Sequence, residues 1–217
     1  PVGLVDGQPD VIEMQDHRRE QDYENEVEAR EEQQARWKML EGELKATYNV
    51  GLQAMILEEL DRVKYQDRSW QCAQFLVDNQ AQTGQWSYGE PTLYVEDIPS
   101  GGDRKDVASG GGKGKAKDDK KSKPKVVRTI KVEKKKDGPQ FGDNSNSQYA
   151  ALGLRSCFDA GIILPDRVLK AGEQHWRGAQ RTDGGWNYNA QGDSTNSYGS
   201  MSAGALGSLT IYQYLLR

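Results

Sequence analysis

The sequence predicts an all-α chain of helix hairpins, interrupted by a β-hairpin insertion with a lysine-rich tip. Three observations carry this. Apolar residues recur at helical spacing in blocks near residues 47–60, 66–80, 146–160, 165–180 and 198–216. A turn sequence occurs twice, one hundred residues apart. Between the copies, residues 91–142 lose the helical pattern and gain β-branched residues, glycine and lysine.

The chain begins with an extended lead and then a charged arm, residues 1–45. Residues 15–46 are rich in Glu, Gln, Arg and Asp, a composition that favours helix. Apolar residues are sparse there. Trp37, Leu40 and Leu44 have the 3,4 spacing of a docking face, so the end of this helix is expected to pack. The rest reads as an exposed acidic helix, with partner binding as the alternative.

From Thr47 the pattern becomes strongly apolar. Val50, Leu52, Ala54, Met55, Ile56, Leu57 and Leu60 make a first helix, and Trp70, Ala73, Phe75, Leu76 and Val77 a second. Residues 46–90 form one repeat. Within the insertion, Leu93, Tyr94, Val95 and Ile98 have strand character, as do Val126, Val127, Thr129, Ile130 and Val132. The tip between them, roughly 99–124, is Gly-, Ser- and Lys-rich and is expected to be disordered. Residues 143–217 resume the helical pattern. Gly161 ends one helix, and Pro165 opens the next with Asp166 in its first turn, where negative charge suits the helix dipole.

The duplicated turn is the most specific feature. Gln80, Gly84, Trp86 and Tyr88 match Gln180, Gly184, Trp186 and Tyr188. Gln can tie a helix end to its neighbour through its amide, Gly permits a positive φ that reverses the chain, and Trp pins the loop with a large apolar face. Both Trp rings are expected to be buried, and both Gln side chains to bond backbone at neighbouring helix ends.

The Q-x-x-x-G-x-W pattern resembles the QW motif of squalene and oxidosqualene cyclases, with related turns in protein prenyltransferase β subunits and thioester domains. The stretch from Asn144 to Leu154, followed by His175-Trp176 and Asp183-Gly184-Gly185-Trp186, is also similar to bacterial proteins with prenyltransferase-like repeats, such as those of planctomycetes. The resemblance covers about residues 45–90 and 142–217. It implies a partial α/α-toroid, with inner helices starting near Thr47, Asn146 and Tyr198 and outer ones near Gln66 and Pro165. Two helix pairs and one inner helix are fewer than a closed toroid holds. The rest of a longer chain, a second copy or another protein is therefore expected to complete it, against an apolar face left by the last helix.

The D-x-D-D proton donor, the D-D-x-x-D magnesium motif and the Gly-Cys-Gly-Glu-Gln thioester motif have no match. Asp118 and Asp119 lie in the lysine tract and read as solvated. A zinc site drawn from Cys157, Asp159 and His175 is disfavoured, because residues two apart on a helix do not face the same way. His175 reads first as a packing or hydrogen-bonding residue and His17 as exposed. Cys72 and Cys157 read as buried thiols, and a disulfide between them is left open.

Asn144, Asn146, Asp183, Asn187, Asn189, Asp193 and Asn196 gather near the turns, where such residues serve as caps and turn formers. The sharper reading is a pocket at the inner helix ends, with Asn146, Tyr149, His175, Asn187, Tyr198 and Met201 as candidates. A small apolar ligand in the cavity that the resemblance implies is a further expectation.

Residues 113–136 hold twelve Lys or Arg and three acids, with no aromatic among them. This reads as a solvated loop rather than a nucleic-acid surface, since stacking residues are missing. The net charge of −4 gives no global bias toward nucleic acid. No apolar run reaches the roughly eighteen residues of a membrane span. The sequence opens with Pro1 rather than Met, which reads as a processed or cropped start. The compartment is left open between cell envelope and cytoplasm. The function expected is a non-catalytic binding or scaffolding module without a cofactor. The alternative is an isoprenoid cyclase or prenyltransferase-type enzyme with its catalytic residues outside this segment.

Overall fold

The structure, a computed structural model, describes residues 21–25, 27, 44–92, 102–103, 123–189 and 196–217. The chain divides into two compact units, Pro1–Glu43 and Leu44–Arg217. In the first, residues 21–25 are helical and exposed. Trp37 and Leu40 lie outside the described residues, as do 93–98 and most of the lysine-rich tip. Leu44, in the second unit, is buried.

The described residues of the second unit are mostly helical, in five helices: α1 (Thr47–Asp61), α2 (Gln66–Asp78), α3 (Asn144–Asp159), α4 (Asp166–Gly178) and α5 (Gly199–Leu215). Their ends follow local chemistry. The Asp143 carboxylate caps α3 by accepting from the Asn146 N–H at 2.7 Å. Gly161, at φ 87°, ends the turn after α3, and Pro165 is the N-cap of α4. His175 and Arg177 sit in the last turn of α4.

Helices α1, α3 and α5 pack side by side; α2 packs on α1 and α3, and α4 packs on α5. The two layers hold one core, with Leu57, Trp70, Phe75, Leu76, Leu154, Trp176 and Tyr212 among its fully buried side chains. Cys72 and Cys157 are free, buried thiols. Burial pushes the Cys72 thiol up to about 12.

The insertion contributes to this core. Strand β2 (Arg128–Lys131) pairs antiparallel with β1 (Gly102–Asp103) and parallel with β3 (Ile162–Ile163). The antiparallel partner of β2 is Gly102–Asp103, inside the tip expected to be disordered, where backbone pairing with Arg128 and Thr129 holds it; the strand expected at 93–98 lies outside the described residues, and the parallel partner β3 was not foreseen. Val126, Ile130 and Val132 are buried. The strap runs over α2: Trp70 Nε1 donates to Lys131 O at 3.0 Å, Gln74 Nε2 to Glu133 O at 2.8 Å, and Lys134 Nζ to Val77 O and Gln80 O at 2.8 and 2.6 Å. The Asp78 carboxylate accepts from Lys135 N, Gln74 Nε2 and the Thr92 hydroxyl.

The strap explains a contrast between the repeats. Ten of the thirteen residues of α2 are buried, against four in α4, whose outer face carries the ion pairs Lys170–Asp166 and Arg177–Glu173. Helix α2 is covered on both sides, and the polar residues buried with it, Gln66, Gln74 and Asp78, are each hydrogen-bonded, Gln74 and Asp78 to the strap.

Candidate functional site

The two turns, residues 79–89 and 179–189, match bond for bond. Trp86 Nε1 donates to Leu76 O at 2.7 Å, and Trp186 Nε1 to Trp176 O at 2.8 Å. The Trp86 N–H meets Ser147 Oγ and the Trp186 N–H meets Ser202 Oγ, each at 3.0 Å. Ala81 N bonds Gln85 O, and Arg181 N bonds Gly185 O, each at 2.9 Å. Gly84 and Gly184 both sit at φ 86°, a conformation that suits glycine. Both Trp rings are buried.

Each turn holds the starts of two helices. Thr47 N bonds Tyr88 O at 2.7 Å, and Asp143 N bonds Trp86 O at 2.9 Å. In the second turn Asn144 N bonds Tyr188 O at 2.9 Å, and Tyr198 N bonds Trp186 O at 3.1 Å. The N-termini of α1, α3 and α5 therefore lie at one end, and the three helices run parallel.

The turns differ in what covers them. Gln80 is buried, and its Nε2 donates to Gly84 O at 3.3 Å and, across to α4, to Val168 O at 2.8 Å. Gln180 is exposed and donates to Gly184 O at 2.8 Å, within its own turn. The expected bond to a neighbouring helix end thus forms at Gln80 alone. A Cβ at Gly84 would run into the Ala171 carbonyl, whereas one at Gly184 would meet nothing within 4 Å. Helix α5 carries no charged residue, and Leu206 on its open face is 58% exposed.

Of the six pocket candidates, His175 lines one of two clefts, and the others take other places. His175 and Asn187 join through Asn144. Asn144 Nδ2 donates to Asn187 O at 2.7 Å, which turns Asn144 Oδ1 toward His175 Nε2, 2.9 Å away. A carbonyl oxygen can only accept, so Nε2 carries the proton and Nδ1 is a bare acceptor. Burial lowers the His175 pKa from 6.5 to about 4, and the ring is neutral at pH 7. Asn146 serves the α3 cap, its Nδ2 donating to Asp143 Oδ2 at 2.8 Å.

The tyrosines gather at the same end. Tyr149 packs edge-on against Tyr48, with centroids 6.5 Å apart, and Tyr48 against Tyr88 at 6.2 Å. Partial burial, then the Asp143 charge and the Tyr88 hydroxyl, raise the Tyr188 phenol pKa. Tyr198 is the N-cap of α5, and Met201 is buried one turn later. Asp183 is a turn former: its carboxylate accepts from Gly185 N, Ser197 N and the Ser197 hydroxyl. Asp193 lies outside the described residues.

Two clefts flank these groups. One, of about 310 Å³, lies between the first turn and the end of α4 and includes Gln85 and His175 in its walls. The other, of about 400 Å³, lies between α3 and α5, with Leu152, Ala203 and Ile211 in its lining. Gln85 was missed from sequence. No signal in the turn singled it out, because positions 81, 82, 83, 87 and 89 also differ from their counterparts in the second turn.

The drawn zinc ligands go elsewhere. Cys157 Sγ donates to Ser69 O at 3.4 Å, Asp159 accepts from Arg155 Nε at 2.7 Å, and His175 bonds Asn144. Among the described residues no group of three His, Cys, Asp or Glu is placed to hold a metal ion, and no helix is long and apolar enough to cross a membrane. The chain matches no family model, no curated protein and no solved structure.

Proposed function

We propose that the chain is a non-catalytic binding or scaffolding module built from helix-pair repeats of the prenyltransferase and squalene cyclase-like kind. Its helices form an arc of an α/α-toroid, and the end beyond α5 is completed by the rest of a longer chain, by a second copy or by another protein. One observation carries the reading. The first turn is sealed by α4 through Gln80, Val168, Gly84 and Ala171, while the equivalent Gln180 and Gly184 stand open beside an uncharged helix face. An open repeat end with exposed apolar side chains is a surface suited to an interface.

Sedimentation equilibrium over a concentration series tests this. The wild-type mass is expected to rise above 24.3 kDa with concentration, and the Leu206→Asp variant to remain a monomer. A single monomeric species at every concentration in both proteins would count against self-association. Hydrogen exchange showing α5 as protected as α3 would count against an open end of any kind.

A further inference from the structure

We propose that copies of this chain join head to tail. The exposed side of α1 on one copy seats against the open side of α5 on the next, an assignment that rests on the reading of α5 as an open repeat end.

The repeat fixes which positions correspond. Thr47 N and Asn144 N bond Tyr88 O and Tyr188 O, so Thr47 of α1 corresponds to Asn144 of α3. Asp143 N and Tyr198 N bond Trp86 O and Trp186 O, which aligns α3 with α5 in the same way. Along the helices from these points, Leu52, Tyr149 and Gly204 are equivalent, and so are Ile56, Gly153 and Ser208. Gly51, Gln148 and Ala203 form a third set.

The first two sets are the backward side of each helix. Tyr149 and Gly153 seat α3 on α1: a Cβ at Gly51 would run into the Tyr149 carbonyl, and one at Gly153 would lie 2.7 Å from Gly51 Cα. Gly204 seats α5 on α3, where a Cβ would run into the Gln148 side chain. Gly153, Gly204 and Ser208 are buried there. The third set is the forward side, with Gly51 under Tyr149 and Gln148 under Gly204.

In α1 the backward side is open. Leu52 and Ile56 are 41% and 40% exposed, large apolar side chains at positions that α3 and α5 use for packing. In α5 the forward side is open: Ala203 is exposed, with Leu206 and Gly207 beside it. Neither stripe carries a charge, since α5 has none and Leu52 and Ile56 are continued by Asn49 and Leu60. Their contact strands no ion away from water.

A second copy is the occupant because the fold already makes this joint twice, from α1 to α3 and from α3 to α5. Placing α1 of a copy beyond α5 makes it a third time, with all helices parallel. Each joint sets a small residue against a larger one: Gly51 against Tyr149, Gly204 against Gln148, and then Ala203 against Leu52 of the copy. The contact is heterologous, so every added copy leaves one side open and growth passes the dimer. One helix on one helix is smaller than a standard interface, so association is weak and concentration-dependent.

Two variants of the full chain block one side each, Ile56→Asp on α1 and Leu206→Asp on α5. Both positions are exposed, so the core is untouched; Leu52→Asp blocks α1 as well, should Ile56→Asp disturb folding. Sedimentation velocity compares each variant alone with an equal mixture. Alone, each is expected to self-associate at least tenfold more weakly than the wild type. Mixed, they are expected to form a one-to-one complex that stops at two copies, since each supplies the side the other lacks.

Ile56→Asp self-associating as the wild type does would overturn the proposal and leave copies meeting through α5 alone. A wild type and a mixture that both stay monomeric would overturn it too. Hydrogen exchange at low concentration then separates this failure from that of the open end: α5 exchanging faster than α3 keeps the open end, and equal protection removes both.

Discussion

Gln80 reaches from the first turn to the first turn of α4, its Nε2 donating to Val168 O at 2.8 Å. The same side chain closes its own turn through Gly84 O. Gln180 makes the second bond without the first. Gln80→Ala leaves two buried carbonyls short of a donor and is expected to cost about 2 kcal/mol. Gln180→Ala, at an exposed position, is expected to cost less than about 0.5 kcal/mol. Urea unfolding of both variants measures the difference. Equal losses would mean that the two ends of the arc are covered alike.

Tyr212 and Gly172 give a second test. In the first repeat the matching seam brings Cys72 and Cys157 together, two small buried thiols, both pushed up by burial. In the second, the positions are taken by Gly172 and Tyr212: one side chain vanishes and the other fills the seam. A Cβ at Gly172 would lie 2.5 Å from the Tyr212 hydroxyl oxygen and 2.6 Å from Cζ. Gly172→Ala is therefore expected to destabilise by about 1–3 kcal/mol through overpacking. Tyr212→Cys, itself destabilising because it empties a fully buried site, should cost less in the Gly172→Ala background than in the wild type, and a double-mutant cycle in urea reads the coupling. Strictly additive effects would reject the size exchange.

These pairs show what the sequence made legible. The turns were readable because Gln, Gly, Trp and Tyr recur at fixed spacing and each has a local job. Helix limits were readable where Gly161 and Pro165 mark them. Strand β3 was not, because Ile162 and Ile163 make too short a run to signal a strand, and their partner Ile130 is some thirty residues away. The His175–Asn144 bond likewise joins residues 31 apart whose types fit many roles. The candidate pocket dispersed for a related reason. Asn146 bonds the α3 cap and Met201 lies in the core, while Tyr198 gives α5 only its N-cap backbone and keeps an exposed ring, and helical pattern alone does not separate these roles from lining a cavity.

His175 gives a pH dependence with a definite sign. Its pKa falls from 6.5 in the unfolded chain to about 4 in the folded one. Above pH 6.5 the ring is neutral in both states. Between 6.5 and 4 the unfolded chain takes up a proton that the folded chain refuses, so stability falls as pH drops through this window. The full effect is about 3 kcal/mol. His175→Gln keeps a donor for Asn144 and does not titrate. Subtracting its urea-derived stability from that of the wild type at several pH values isolates the histidine from the carboxylates. A difference that stays flat from pH 7 to 4 would show that the ring is solvated.

The strongest test of the repeat reading lengthens the chain. The block 143–197 holds 55 residues, from the cap of α3 to the residue before the cap of α5. Both caps meet a preceding turn in the same way: Asp143 N bonds Trp86 O, and Tyr198 N bonds Trp186 O. Ser147 and Ser202 accept from the corresponding Trp N–H groups at the same distance. A second copy of 143–197 inserted between Ser197 and Tyr198 therefore preserves the turn junctions, while it sets the copy's Cys157 against the original Gly172, so Cys157→Tyr in the copy restores the seam that Tyr212 fills in the parent. In the longer chain the original Gln180 faces the Val168 of the copy, and the original Gly184 faces its Ala171. Stability in stacked repeats is a sum of repeat and interface terms, so the added interface is expected to raise the unfolding midpoint while the transition stays cooperative. Gln180→Ala, nearly neutral in the parent, should now cost about 2 kcal/mol, as Gln80→Ala does. Two separate transitions, or a Gln180→Ala that stays neutral in the extended chain, would show that the second turn is not a site for another helix pair.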